Sequence, residues 1–170
     1  VLEEDNMVNV AVDAMGGDNA PVEIVKGAVD AVNESKSVKV FLVGREDVIK
    51  AELVKYTYDE NQIEVVHAED VIETGEPPVM AIRKKKDSSI VKAMYMVKDG
   101  ICDAFVSAGS TSAVLVGGQV IVGRTKGVER PPLAPLMPTT KGPVLLIDCG
   151  ANVDARASHL VQFAKMGSIY

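Results

Sequence analysis

The chain has 170 residues, of which 47% are apolar, and this is enough for one domain with a complete hydrophobic core. Its formal net charge of -6 argues against a general nucleic-acid binder. No apolar stretch reaches the roughly 18 residues that a membrane-spanning helix needs. Residues 1–6 lack the basic and apolar pattern of a signal peptide, so we interpret them as an upstream extension or cloning remnant.

Strand-like and helix-like segments alternate along the chain. Most strand candidates are continuous apolar runs, which suit parallel strands buried on both faces. Strands are predicted at 8–12, 38–44, 63–68, 102–109 and 144–151. Helices are predicted from about Pro21 and at 46–56, 87–100, 110–123 and 158–170. Repeated βα units of this kind predict a parallel sheet with helices on both faces.

Two further features concern the first helix and one long link that interrupts the alternation. The first helix has its apolar face at Ile24, Val25, Ala28, Val29 and Val32. Residues 124–143 carry five prolines between Arg130 and Pro143, which predicts an extended, stiff loop, and loops of this length are often functional.

Several common kinds of site are not indicated by the sequence. Cys102 and Cys149 lie in or beside apolar runs without CxxC spacing, which suggests neither a disulfide framework nor a zinc site and fits a reducing cytosol. GxGxxG after the first strand, GxxxxGK[ST], GxSxG and HExxH are absent. We therefore expect no cofactor and no metal. His67 and His159 have no partner nearby in sequence, so we expect packing or surface roles for both.

Three predicted strands end in loops that combine glycine with short polar side chains. These loops are DAMGGDNAP at 13–21, VSAGSTSA at 106–113 and IDCGANVD at 147–154. Ligands of an open parallel sheet collect outside the carboxyl ends of its strands. The three loops together predict one polar pocket with anion-binding backbone groups.

The first loop places Gly16 and Gly17 between two acids, Asp13 and Asp18. A glycine turn before a helix offers backbone N–H groups to a phosphate, but carboxylates would repel that phosphate. The acids therefore either brace the loop by hydrogen bonds, or bind a cation or accept a proton. The alternative is a tight βα connection without chemistry.

The other two loops also have two interpretations each. Gly109 lets the backbone approach a ligand, and Ser107, Ser110 and Thr111 supply hydroxyls at a helix N-terminus, which forms either a phosphate cradle or a set of helix caps. Asp148 and Asn152 either orient a ligand or satisfy turn N–H groups.

A basic run interrupts this acidic chain at Arg83, Lys84, Lys85 and Lys86. It is either a solvated helix end or a local patch for an anionic partner.

Six segments, in their order and spacing, resemble the PlsX family of acyl-acyl-carrier-protein:phosphate acyltransferases. They are DAMGGDNAP, RKKKDSSI, SAGSTSA, GRTKGVERPPLAPLMPT, IDCGANVDA and LVQFAKMGSIY. The resemblance covers residues 7–170. It implies a three-layer αβα sandwich with a mainly parallel sheet, like that of isocitrate and isopropylmalate dehydrogenases. It also implies homodimers in the cytoplasm with peripheral association to the membrane.

The resemblance implies transfer of a fatty acyl group from acyl carrier protein to inorganic phosphate, giving acyl phosphate for phospholipid synthesis. It assigns catalysis to Asp13, Asp148 and Asn152. Arg83 and the lysines 84–86 would bind phosphate or the acidic carrier protein. The phosphate-binding residues would be Gly16, Gly17, Ser107, Gly109, Ser110 and Thr111.

This chain departs from the family pattern in three ways. The family usually reads SAGNTGA, whereas Ser110 and Ser112 replace the Asn and the second Gly here. Arg156 and Ala157 stand where the family commonly has Lys-Pro. Family members are about twice as long, so 7–170 would be the N-terminal half of the fold. The alternatives are a non-catalytic module that binds phosphate or carrier protein, and a phosphate acetyltransferase or dehydrogenase of the same fold class.

Overall fold

A computed structural model describes residues 7–170. The predicted extension at 1–6 lies outside the described residues. The chain divides into two compact units, the first ending at Val122 and the second running Gly123–Tyr170.

The first unit is built on a parallel four-stranded sheet with the strand order β3-β2-β1-β4. In register, Val10 of the first strand lies between Val40 and Ala104 of its two neighbours. The first four predicted strands are therefore present, although the fourth spans only Ala104–Val106 of the predicted 102–109. Their bounds are β1 Val8–Asp13, β2 Val38–Gly44, β3 Ile63–His67 and β4 Ala104–Val106.

Helices cover both faces of this sheet. They are α1 Val22–Glu34, α2 Glu46–Leu53, α3 Pro78–Lys84, α4 Ser89–Lys98 and α5 Thr111–Gly117, and α5 continues into a π-helical turn at Gly118–Val122. Leu42 packs in a core cluster with α1 and α2, whereas its neighbours Phe41 and Val43 pack in a cluster with α4. A continuous apolar strand predicts that successive residues are buried on opposite faces of the sheet, as is found here. The predicted αβα fold class is therefore confirmed.

The local sequence explains where the helices begin and end. Of the predicted apolar face of α1, Val25, Ala28, Val29 and Val32 are buried, while Ile24 is only partly buried. The Ser88 hydroxyl caps α4 by accepting the Val91 N–H at 3.4 Å. Just beyond the end of α4, Gly100 has a φ of 74°, a conformation that favours glycine.

Two helical segments differ from the sequence prediction. Helix α3 was not predicted, because its seven residues follow Pro77 and begin with Pro78, and this stretch resembles a loop. Proline is nevertheless favourable at a first helical position, where its missing N–H costs nothing. The second helix ends at Leu53, earlier than the predicted 56.

The second unit contains a short antiparallel ladder, β5 Leu136–Met137 with β6 Val144–Leu145, and α6 Ala157–Ile169. The predicted parallel strand at 144–151 is wrong in length and direction. Its partner is the proline-rich loop, and Pro135 and Pro138 flank β5 and have no N–H to donate. Past the ladder, Cys149 N–H still bonds the Leu133 carbonyl at 2.9 Å, but regular pairing has ended.

Candidate active site

The loops that follow β1 and β4 are joined through one buried carboxylate. The Ser107 hydroxyl donates to Asp13 Oδ2 at 2.8 Å, and the Met15 N–H donates to Asp13 Oδ1 at 3.1 Å. The Gly109 N–H in turn donates to Ser107 Oγ at 3.0 Å. Asp13 is only 1% exposed. Because β1 and β4 are parallel neighbours, their carboxyl ends meet at one edge, and Asp13 ties the two loops together there.

The glycines of both loops allow the two backbones to touch. A Cβ on Gly16 would lie 2.9 Å from the Gly109 nitrogen, and a Cβ on Gly109 would lie 3.1 Å from the Gly16 Cα. Gly17 has a φ of 103°, and its Cβ would lie 3.2 Å from the Ala108 carbonyl oxygen. A side chain at Gly16 would therefore separate the loops, and one at Gly17 would also strain the backbone.

The hydroxyls predicted as a phosphate cradle divide into two groups. Those of Ser107 and Ser110 are engaged internally: Ser107 Oγ bonds Asp13 and Gly109, and Ser110 Oγ accepts the Ala113 N–H at 3.3 Å. Thr111 is exposed, and its hydroxyl makes no hydrogen bond within residues 7–170.

The remaining backbone donors lie at the start of α5. Across the part of the chain that the structure describes, the N–H groups of Ser110, Thr111 and Ser112 make no hydrogen bond. Thr111 and Ser112 are exposed, so their N–H groups and the Thr111 hydroxyl are available to a ligand, whereas Ser110 is only 2% exposed. Ser112 lies inside α5, and no residue other than glycine has a positive φ in residues 7–170. Replacing the family glycine at this position therefore introduces no left-handed strain.

The basic run lies at the end of α3, and its four side chains have different environments. Lys85 donates to Glu76 Oε1 at 2.5 Å and to the Val71 carbonyl at 2.7 Å. That hydrogen bond from Lys85 lowers the pKa of Glu76 below its usual range, and the Glu73 N–H adds to the effect. Arg83, Lys84 and Lys86 are exposed. One of the four residues is therefore structural, and three face solvent.

Asp148 and Asn152 lie together in the second unit. Asp148 Oδ1 accepts the Leu133 N–H at 2.6 Å, and its Oδ2 accepts the Asn152 N–H at 2.7 Å. The Asn152 side-chain amide donates to the Pro131 carbonyl at 3.1 Å. Both side chains hold the turn at Gly150 against the proline-rich loop, which is the turn-satisfying interpretation of the sequence.

The two histidines differ in burial. His159 is 4% exposed, accepts the Arg156 N–H through Nδ1 at 3.1 Å, and places Nε2 3.1 Å from Glu129 Oε2. It joins α6 to the loop before it, a contact between distant residues that the sequence does not reveal. His67 is half exposed at the end of β3.

An open depression lies beside the carboxyl ends of β2 and β3, and its lining includes no residue of the loops that follow β1 and β4. Its volume is about 600 Å³. One ion pair neutralises part of its charge, since Lys50 lies 2.5 Å from Glu46, and His67 Nε2 lies 3.5 Å from Glu69 Oε2. Its lining consists of Arg45, Glu46, Asp47, Lys50, His67 and Glu69.

Neither a metal cluster nor a membrane-spanning helix is found in the described structure. Over residues 7–170, no three His, Cys, Asp or Glu side chains converge as metal ligands would. The helices of the same residues are each too short or too polar to cross a bilayer.

Comparison with known proteins identifies the family. The family profile described as fatty acid synthesis protein matches residues 8–170. Phosphate acyltransferases from Clostridium beijerinckii and Clostridium tetani are 54% and 50% identical over 163 residues, which is 96% of this chain and 49% of each relative. This chain thus spans about half the length of the curated relatives it matches. A phosphotransacetylase structure from Streptococcus pyogenes shares the fold, with a TM-score of 0.65 and 16% identity over 95% of this chain and 53% of that one. The chain belongs to the fatty acid synthesis protein family, the PlsX family that its motifs resemble.

Proposed function

We propose that the protein takes part in the transfer of a fatty acyl group from acyl carrier protein to inorganic phosphate, forming acyl phosphate for phospholipid synthesis. The observation that carries the proposal is the junction of two glycine loops through Asp13, beside three backbone N–H groups without partners. Relatives named phosphate acyltransferase over the whole described chain support it. Because the chain spans about half of those relatives, we propose that it supplies the phosphate-binding half of the active site.

The proposed reaction needs a bound nucleophile rather than a strong base. Phosphate is substantially dianionic at pH 7, since its second pKa is about 6 to 7. One phosphate oxygen attacks the thioester carbonyl carbon and forms the new C–O bond. The tetrahedral oxyanion then collapses, the C–S bond breaks, and the pantetheine sulfur leaves as a thiolate that takes a proton from water. Catalysis would come from positioning and from stabilising the oxyanion.

The geometry suggests separate roles for the residues of the two loops. The free N–H groups of Thr111 and Ser112, with the Thr111 hydroxyl, would bind phosphate directly, and the buried Ser110 would cap the helix that carries them. Ser107 and Gly109 would hold the loop in place without contacting phosphate, because the Ser107 hydroxyl donates to Asp13 and the Gly109 N–H donates to Ser107. Gly16 and Gly17 would contribute by letting the loops close. Asp13 would be a positioning residue, since both of its oxygens accept internal hydrogen bonds.

Other parts of the proposal rest on the family resemblance. Asp148 and Asn152 would orient a ligand through the turn that they brace. Acyl carrier protein would be the acyl donor, and the exposed cations of 83–86 would meet its acidic surface. Homodimers, a cytoplasmic location and peripheral contact with the membrane belong to the same proposal.

A second candidate is the alternative that the sequence analysis left open. In this alternative, the chain is a non-catalytic module that binds phosphate or carrier protein. An intact-mass measurement of the native product separates the two, because a mass near 18.1 kDa favours the module. A mass about twice that favours the transferase.

The test of the transferase is direct product formation. Acyl-carrier-protein and phosphate should yield acyl phosphate without added nicotinamide, and the protein should acquire no acyl adduct. The physical reason is that the described site offers donors but no Ser-His-Asp arrangement. Isolation of a stable acyl-protein adduct by mass spectrometry would contradict this mechanism. Absence of acyl phosphate from the native protein would contradict the function.

A further inference from the structure

A buried histidine in the first turn of α6 uses both of its ring nitrogens. His159 is 4% exposed, and its Nδ1 accepts the Arg156 N–H at 3.1 Å. A ring nitrogen that accepts a hydrogen bond carries no proton, so the proton of the neutral imidazole is on Nε2. Nε2 lies 3.1 Å from Glu129 Oε2 and donates to it. His159 therefore ties Arg156 to Glu129.

A second side chain of α6 holds Glu129 as well. Gln162 Oε1 accepts the Glu129 N–H at 3.0 Å, and the Gln162 side-chain amide donates to Glu129 Oε1 at 3.4 Å. Because Gln162 follows His159 by three residues on the helix, the two side chains lie on the same face. We name His159, Gln162 and Glu129 the α6 clamp. The clamp fixes both the backbone and the carboxylate of Glu129.

The α6 clamp acts on the two segments between which Asn152 is held. Glu129 lies two residues before Pro131, whose carbonyl accepts the Asn152 side-chain amide at 3.1 Å. Arg156, the other partner of His159, follows Asn152 by four residues. Asn152 thus bridges the same pair of segments that His159 ties together. A change in the contacts of His159 therefore alters the position of Asn152.

Protonation of His159 changes its two contacts in opposite directions. A second proton makes Nδ1 a donor, which then faces the Arg156 N–H, and burial keeps water from supplying another acceptor. The same proton turns the contact with Glu129 into a charge-assisted hydrogen bond, which is stronger than a neutral one. Protonation therefore releases the segment at Arg156 while the link at Glu129 stays held.

Charged groups of both signs surround this histidine on the link, on the loop 148–154 and at the start of α6. They are Glu129, Asp154, Arg124, Arg130 and Arg156. The hydrogen bond from Arg130 lowers the pKa of Asp154, and the positive charge of a protonated His159 adds to that effect. Arg124 donates to the Glu129 carbonyl. Because these charges partly offset one another, the hydrogen bond to the Arg156 N–H is the contact that protonation alters most.

We propose that His159 is a pH-sensitive positioning residue, which fixes Asn152 in its neutral form and releases it in its protonated form. This inference rests on the proposed function, in which Asn152 orients a ligand. His159 acts through Glu129 and the Arg156 backbone and not by contact with a substrate. Histidine is the side chain whose charge ordinarily changes between about pH 5 and pH 8. Acidification in that range therefore loosens the contact between Asn152 and the Pro131 carbonyl.

The first experiment follows the Asn152 side-chain amide by nuclear magnetic resonance while the pH is lowered from about 8 to about 6. Its resonance should move with the same midpoint as the ring resonances of His159. The measurement needs neither activity nor a variant. An Asn152 resonance that stays fixed while His159 titrates would overturn the proposal, and so would a His159 ring that does not titrate in this range.

Two variants of similar shape separate the roles of the ring nitrogens. In His159→Gln, the amide nitrogen replaces Nε2 and can donate to Glu129, but no acceptor faces the Arg156 N–H. In His159→Asn, the amide oxygen replaces Nδ1 and accepts the Arg156 N–H, but the side chain does not reach Glu129. Neither side chain titrates, so the Asn152 resonance should be independent of pH in both variants. It should lie near the acid position in His159→Gln and nearer the neutral position in His159→Asn. Movement with pH in both variants would contradict the assignment to His159.

Steady-state kinetics gives a second readout. The rate of the unmodified protein relative to His159→Gln should fall about fivefold between about pH 8 and about pH 6, which is the effect of losing one neutral hydrogen bond. The ionisation of phosphate affects both proteins equally and cancels in this ratio. Ser158→Asn is the matched control, because Ser158 is the exposed neighbour on the same turn, and it should behave like the unmodified protein. A ratio that does not change with pH would overturn the positioning role.

The outcome for His159 is separable from that for the proposed function. Coupled titration of Asn152 and His159 without any formation of acyl phosphate refutes the proposed function alone. Formation of acyl phosphate by a protein in which the two residues titrate independently refutes the positioning role alone.

Discussion

Replacing Asp13 by Asn tests whether this carboxylate braces the two loops or acts on protons. The substitution keeps the shape of the side chain, which is 1% exposed, but removes its charge. One amide oxygen can still accept a hydrogen bond. The amide NH₂ must then face either the Met15 N–H or the Ser107 hydroxyl, and Ser107 Oγ already accepts from Gly109.

The expected cost follows from these contacts. A hydrogen bond to a charged group contributes about 1.5–3 kcal/mol, against about 1 kcal/mol for a neutral one. Replacing two charge-assisted bonds by neutral ones should lower the free energy of unfolding by about 2 kcal/mol. For a chain of this size, the thermal midpoint should fall by about 4–8 °C.

Urea denaturation measures the free energy of unfolding. Two further variants test whether the loss comes from the hydrogen bonds of the buried carboxylate. Asp18→Asn is the control, because Asp18 lies in the same loop but is exposed, and its effect should stay within about 0.5 kcal/mol. Ser107→Ala removes the other side of the link. The double variant Asp13→Asn with Ser107→Ala should lose less free energy of unfolding than the two single variants together. The expected difference is about 1 kcal/mol.

An Asp13→Asn variant as stable as the unmodified protein would contradict the bracing role of Asp13. If that variant also loses acyl phosphate production, Asp13 acts in the chemistry and not as a brace. Equal effects of Asp13→Asn and Asp18→Asn would show instead that burial of the carboxylate has no bearing on its role.

Three further predictions concern the loops and the basic run. Thr111→Val removes an exposed hydroxyl while keeping the side-chain shape. Steady-state kinetics should show a several-fold rise in the KM for phosphate, about 1 kcal/mol, and little change in the KM for the acyl donor. A KM for phosphate equal to that of the unmodified protein would contradict a contact between the hydroxyl and phosphate. Gly16→Ala places a Cβ 2.9 Å from the Gly109 nitrogen, so urea denaturation should show a loss of about 1–3 kcal/mol. The hydrogen bond from Lys85 holds the pKa of Glu76 below 4.5, so its stabilisation is present above pH 4.5 and is lost as pH falls through the lowered value. Glu76→Gln should therefore flatten the acid limb of stability against pH, and an unchanged limb would contradict this pairing.

The sequence predicted the elements whose determinants are local. Continuous apolar runs located the four parallel strands, and the spacing of Val25, Ala28, Val29 and Val32 located the buried face of α1. These patterns are informative because a helix or strand must bury its apolar residues on a fixed period. The short α3, beginning at Pro78, was missed because seven residues are too few for a clear period.

The sequence predicted which residue types form the candidate site, but not which of their donors bond within the protein and which stay free. Loops rich in glycine and hydroxyls at strand ends were visible in the sequence, and Gly16 with Gly109 were correctly placed in such loops. Which hydroxyl faces inward was not visible. That division depends on the distance between β1 and β4, which pair across more than ninety residues of chain.

By itself, the sequence determined the parallel αβα architecture, the family, and the residue types at the strand ends. The tertiary structure alone decided that Asp13 accepts from Ser107, that Lys85 is held by Glu76 while its neighbours stay exposed, and that the run at 144–151 pairs with a proline-rich loop. The physical reason is the same in each case. Periodicity and propensity act over a few residues, whereas hydrogen bonds and close backbone approach depend on which distant segments the packed sheet brings together.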